Sequence, residues 1–197
     1  MSVKLAPSDI LCEFLEVVIH NIVYIRKLYP ETIFSRKRKY GVVVYQCIQP
    51  DVNNYITEVL KSVSFHSKKS QLKTIFICFF SAGSVQEKYV LEILNLKNII
   101  DADPLLIDLE QCMRNFILRL HNTINYLDDL SEDATFSVQL QVTTYSNLEF
   151  NQTPNYDHFP WVEVNKTENI CHSADIVPVH TIESDIFNLQ IYIEKPN

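Results

Sequence analysis

The sequence predicts an α+β fold, three helices packed on a mostly antiparallel sheet, and three observations carry that reading. Windows at 9–28 and 103–127 repeat apolar residues at helical spacing, and a shorter one lies at about 52–63. Between and after them stand short apolar or strictly alternating runs bounded by turn residues, the pattern of strands. Past residue 145 the chain continues in extended segments with no further helix pattern, so its last part adds strands alone.

The elements follow in order. Residues 9–28 (DILCEFLEVVIHNIVYIRKL) start at Asp9, a capping residue type, and stop before Pro30. Ile10, Leu11, Phe14, Leu15, Val17, Val18, Ile22, Val23 and Ile25 cover most of the circumference. Only Glu13, Glu16, His20 and Lys27 mark a wet stripe, which predicts a buried helix. A short strand is expected at 41–45, then the helix at 52–63 with Val52, Tyr55, Ile56, Val59 and Leu60 on one side. The run 74–80 is continuously apolar, as in a central strand covered on both faces. A turn through 81–84 leads into 88–96, so the two form a hairpin. Asp103-Pro104 reads as an N-cap followed by proline at the first helical position, opening the third helix. At 135–143, Phe136, Val138, Leu140 and Val142 alternate with Ser137, Gln139, Gln141 and Thr143. The tail carries extended segments around Trp161, at 175–179 and at 187–193. In the last, Phe187, Leu189, Ile191 and Ile193 face inward; Gln190 and Tyr192 face out from an edge-like strand.

The chain has 197 residues, 47% hydrophobic and 11% aromatic, enough for one domain over 1–197 with a sizeable core. Charges interrupt the longest apolar stretch, near 10–25, too often for a membrane span, and no secretory signal pattern is visible. Five widely spaced cysteines without Cys-x-x-Cys read as buried thiols of a reducing compartment. A net charge of -7 argues against strong independent DNA binding. The basic run Arg36-Lys-Arg-Lys39 reads first as a solvated loop after a helix end, with an import signal or a phosphate contact as alternatives.

The search for chemistry returns little. With glycines only at 41 and 83, no Gly-rich phosphate loop exists. The six histidines form no metal-ligand spacing, and Cys171-His172 would point to opposite sides of an extended chain. The acidic pairs Asp128-Asp129 and Glu132-Asp133 read as a solvated helix end. No metal, cofactor or enzyme is expected. What remains is interaction surface: the outward Gln190 and Tyr192, and Trp161, the only tryptophan, which packs in the core or against a partner.

Six stretches in the same order resemble the HORMA-domain family: DILCEFLE with Leu28-Tyr-Pro30, IFSRKRKY at 33–40, Asn54-Tyr-Ile56, Arg114-Asn-Phe-Ile-Leu118, His158-Phe-Pro-Trp161 and SDIFNLQIYI at 184–193. Within the family they are most similar to the accessory, non-catalytic subunits of translesion DNA polymerase zeta. The resemblance implies a HORMA core over about 9–145 and a "safety belt" over about 146–197 that closes over a captured peptide. By that resemblance Tyr55 and Trp161 contact the peptide, which comes from the catalytic subunit of polymerase zeta. Ile176, Gln190 and Tyr192 match positions that contact a scaffolding Y-family polymerase. Arg114 and Arg119 lie on the self-association helix, where Arg119 and Asn125 depart from the usual residues. The resemblance also implies an AAA+ remodelling ATPase as partner and a nuclear location with a cytoplasmic pool. Two other readings stand beside it: a checkpoint-type HORMA protein capturing mitotic ligands, and a small cysteine-dependent hydrolase.

Overall fold

A computed structural model describes residues 6–96, 103–143, 159–164, 171 and 173–196. Three helices lie against one five-stranded antiparallel sheet, and a separate two-stranded hairpin flanks the first helix. The α+β expectation therefore holds.

The first helix, α1 (Pro7–Ile25), starts before Asp9: Ala6 occupies the cap position without a side-chain cap bond. Asp9 sits in the first turn instead, where the helix dipole favours an acid, and pairs with Lys68 at 3.3 Å. The expected wet stripe fails at one of its four residues, His20. Glu13 is exposed, but His20 is 3% and Asn21 0% exposed, because the first hairpin covers that side. This hairpin joins β1 (Phe34–Lys39) to β2 (Val42–Cys47). The basic run 36–39 is thus a strand, not a loop, and the strand expected at 41–45 begins one residue later. Tyr40 and Gly41 form the connection, both with positive φ, as a two-residue turn with the twist of flanking strands requires.

Helix α2 (Pro50–Lys68) is longer than expected, because Pro50 starts it and the buried Ser62, Val63, His66 and Ser67 continue its packed face. Strands β3 (Leu72–Ser81) and β4 (Ser84–Leu96) form the predicted hairpin, turning through Ala82 and Gly83, again both at positive φ. The chain's two glycines thus serve one purpose, the second position of a tight turn. Helix α3 (Asp103–Asn122) starts at the expected residue but ends sooner. The cap at Asp103 lies outside the described side chains. Thr123–Tyr126 tighten into a 3-10 turn, with the Thr123 hydroxyl donating to the Leu120 carbonyl at 2.7 Å.

Strand β5 (Thr135–Val142) pairs with β3, and β6 (Ala174–Glu183) with β7 (Phe187–Pro196). The sheet order is β5-β3-β4-β7-β6, so the tail strands add at the end opposite β5. The inner register of β7 is as predicted: Phe187, Leu189, Ile191 and Ile193 are fully buried. Its position is not. β7 lies between β4 and β6, so the edge belongs to β6. Aromatic packing joins the layers: the Phe14 ring meets Phe116 of α3 edge-on at 5.0 Å and Phe187 of β7 at 6.2 Å. Of the expected belt, 146–158, 165–170, 172 and 197 lie outside the described residues, including His158 and His172.

Candidate functional site: an open strand edge and two outer faces

Helix α2 and β5 build the first place. Nothing among the described strands pairs with the outer side of β5. The Val138 N–H points that way and donates to the Tyr55 hydroxyl at 2.8 Å. Amide directions alternate along a strand, so Phe136, Val138 and Leu140 all turn their backbone groups to this edge. The Tyr55 ring packs edge-on against Phe136 at 5.5 Å and against Phe159 at 5.8 Å. Phe159 in turn lies 4.9 Å from Trp161, whose indole N–H donates to the Ser62 hydroxyl at 3.0 Å. Trp161 is thus half-buried on α2, neither a core residue nor a free one. Val162 and Val164 beyond it are exposed. Burial raises the Tyr55 phenol above its ordinary pKa, so its hydroxyl stays protonated and can also donate. The structure brings Tyr55 and Trp161 to one surface. Phe159, Ser62 and Phe136 complete it; the apolar character of 158–161 was the sequence signal for Phe159, while Ser62 carried none.

The second place is the sheet face turned away from the helices. Residues paired across strands share a face, which puts Pro178 beside Tyr192, Thr181 beside Gln190 and Ile176 beside Glu194. Ile176, Gln190 and Tyr192 therefore lie on one face of β6 and β7. Ile176 is 64% exposed. Tyr192 is less free than an outward tyrosine on an edge strand: half-buried, it donates to Glu92 Oε1 at 3.0 Å. Burial and this carboxylate push its phenol up to about 12.

The third place, the outer side of α3, is divided. Arg114 and Arg119 are both exposed but sit on different sides. Arg114 reaches the turn at Gly41, where an added Cβ would meet its Nη1 at 3.5 Å. Arg119 lies toward β6, near enough to help lower the pKa of His180 after burial. Ile107 and Leu118 are exposed along the same helix.

Two clefts lie elsewhere on the described surface. One, about 260 Å³, is lined by Arg26, Glu87, Asp128 and Lys195 among others. Arg26 and Glu87 pair there at 2.9 Å with almost no exposure, and Arg26 Nη2 donates to the Asp128 carbonyl at 2.5 Å. Burial raises the Glu87 carboxyl although Arg26 opposes it. This pair pins the end of α1 to β4, a structural task. The other, about 290 Å³, separates α1 from the β1–β2 hairpin. Its walls carry opposite charges and are bridged by Lys39–Glu13. No group of His, Cys, Asp and Glu among the described residues could hold a metal. Burial pushes Cys12 up to about 11 and Cys78 up to about 12, and raises Cys112 and Cys171, which leaves these thiols protonated at neutral pH. No described helix is long and apolar enough to cross a membrane.

The fold with its open β5 edge is that of a HORMA-domain protein. The chain superposes on C. elegans HTP-2, solved bound to a HIM-3 closure motif, with a TM-score of 0.72 over 95% of this chain and 89% of that one, at 12% identity. No protein-family model matches it. It is 32% identical over 190 residues to the human mitotic spindle assembly checkpoint protein MAD2B, spanning 95% of this chain and 90% of that protein. To DNA polymerase zeta subunit 2 of Drosophila melanogaster it is 30% identical over 164 residues, spanning 82% and 83%. The chain belongs to this MAD2B and polymerase zeta accessory-subunit family of HORMA-domain proteins.

Proposed function

We propose that this chain is a non-catalytic adaptor of translesion polymerase zeta. It captures a short extended segment of the catalytic subunit along β5 and bridges it to a scaffolding Y-family polymerase. The observation that carries the reading is the Tyr55 hydroxyl on the outward Val138 N–H, beside Phe159 and Trp161. An added strand needs outward donors and acceptors, and β5 offers them at Phe136, Val138 and Leu140. Tyr55 holds the middle donor while the edge is empty, sparing it the cost of an unpaired amide. An incoming carbonyl replaces the hydroxyl there, or the peptide pairs on either side of it. Phe159 and Trp161 supply the apolar wall. Because the chain carries 159–164 past α2 and then continues into β6 at the far end of the sheet, release requires that wall to move, which makes dissociation slow.

The second partner would meet Ile176, Gln190 and Tyr192, and self-association would use α3 around Arg114. Remodelling by an AAA+ ATPase, and a nuclear site of action with a cytoplasmic pool, belong to the same reading. Titrating a labelled peptide of the polymerase zeta catalytic subunit into the protein tests it. Saturable binding, weakened in Trp161→Ala, is the expected result. No binding by the folded wild type would end the proposal.

The checkpoint name of the MAD2B relatives favours a second reading, capture of mitotic ligands on the same edge. Competition between the two peptide classes for one site decides between them.

A further inference from the structure

The first hairpin carries a surface that none of these roles uses. β1 holds four consecutive cations, Arg36, Lys37, Arg38 and Lys39, the first three exposed. Among the described residues its sheet has two strands, so each strand has an outer side. That of β2 is sealed: the Tyr45 N–H donates to Asn21 Oδ1 at 3.2 Å and the Cys47 N–H to His20 Nδ1 at 3.3 Å, both from α1. These two bonds fix the direction of every amide in the hairpin. Tyr45 and Cys47 point away from β1, so their partners Arg36 and Phe34 point away from β2, and so does Arg38. The bond from the Ile48 N–H to the Ile33 carbonyl, 2.8 Å, obeys the same alternation. The open edge of β1 is therefore lined by the backbone groups of Phe34, Arg36 and Arg38.

Side chains add to this. Phe34, Arg36 and Arg38 share a face with their cross-strand partners Cys47, Tyr45 and Val43. Phe34 and Tyr45 are half-buried there, and Tyr24 joins them, stacked on Tyr45 at 3.5 Å and edge-on to Phe34 at 5.2 Å. Lys37 and Lys39 lie on the opposite face, Lys39 neutralised by Glu13.

The geometry points to the β1 edge as a docking strand for an extended acidic peptide of a partner protein. The Phe34 N–H already donates to the Glu31 carbonyl, so the edge supplies the Arg36 and Arg38 amides, which no described backbone group receives, for strand addition. Arg36 and Arg38 on one face and Lys37 on the other match a strand with acids on both faces. The aromatic shelf of Tyr24, Phe34 and Tyr45 takes the side chains between them. Charge selects the occupant. A second copy of β1 is excluded because like charges would stand opposite one another. A nucleic acid gains nothing from the edge amides and meets a protein with a net charge of -7.

Amide exchange on the full-length protein tests this, with an acetylated peptide of alternating Glu and Thr as probe and its Lys-Thr counterpart as control. Saturation with the acidic peptide slows exchange at Arg36 and Arg38 and leaves Lys37 and Lys39, already paired with β2, little changed. The double variant R36Q/R38Q, altered only at exposed side chains, keeps its melting temperature and binds about tenfold more weakly. Three results overturn the proposal: no binding of the acidic peptide; binding without the alternating protection, which is diffuse charge attraction; or a single-stranded oligonucleotide that binds the same residues more tightly than the peptide.

Discussion

Single residues decide how the capture edge behaves. Tyr55→Phe removes the hydroxyl that receives the Val138 N–H and leaves the ring packing in place. A loss of about 1 kcal/mol in urea unfolding is expected, the usual worth of one such bond. Unchanged stability would mean that water replaces the hydroxyl without penalty. Trp161→Ala removes the wall and its bond to Ser62. Peptide affinity should fall by roughly 2 kcal/mol or more if Trp161 is a buried anchor, and calorimetry on the folded variant reads this directly. His20 sets a pH dependence. Its ring accepts the Cys47 N–H, and burial holds its pKa down to about 4, against 6.5 when exposed. A depressed folded pKa means that the unfolded chain takes up the proton first. The contribution is therefore complete above pH 6.5 and is lost as pH falls toward 4. Urea midpoints at pH 7 and pH 4.5 should show a larger drop for the wild type than for His20→Gln; equal drops would remove His20 from the account.

The elements separate core from contact. On β7 one face is core and the other is partly covered. Leu189→Ala and Ile191→Ala should each cost about 2–5 kcal/mol, measured by denaturant unfolding, because both side chains are fully buried. Tyr192→Ala should cost only about 1 kcal/mol, from the bond to Glu92 and half a buried ring. It should weaken the second partner while leaving peptide capture unchanged; normal binding of both partners would place the bridge elsewhere. On α3 the two arginines diverge, one toward the first hairpin and one toward β6. Sedimentation should show Arg114→Ala shifting self-association more than Arg119→Ala, and equal effects would contradict that division.

At the scale of the whole molecule the sheet order spaces the two contact regions. β5 and β6 stand at opposite ends of five strands. Tyr192 lies on β7, three inter-strand steps from β5, which is on the order of 14 Å. Sites that far apart with no shared partner add, so Trp161→Ala with Tyr192→Ala should lose each partner independently, with no coupling beyond about 0.5 kcal/mol in a double-mutant cycle. A larger coupling would mean that closing the 159–164 wall alters the β6–β7 face.

Local pattern determined much of this protein. Helical spacing marked the three helices, period-two alternation set the inner register of β5 and β7, and a glycine within the small-residue run 81–84 marked the turn at Ala82-Gly83. The same signal at Tyr40-Gly41 was equally present, but four cations in a row masked the strand before it, since charge argues against burial and β1 needs none on its outer side. Tertiary structure alone decided the rest. Strand order is set by which faces can be covered, so β7 became an inner strand although its sequence reads as an edge. His20 was read as wet because helix periodicity sees one helix, and the hairpin that covers it lies elsewhere in the chain. The Tyr55–Val138 bond spans 83 residues, a separation over which no local pattern reports which groups will meet.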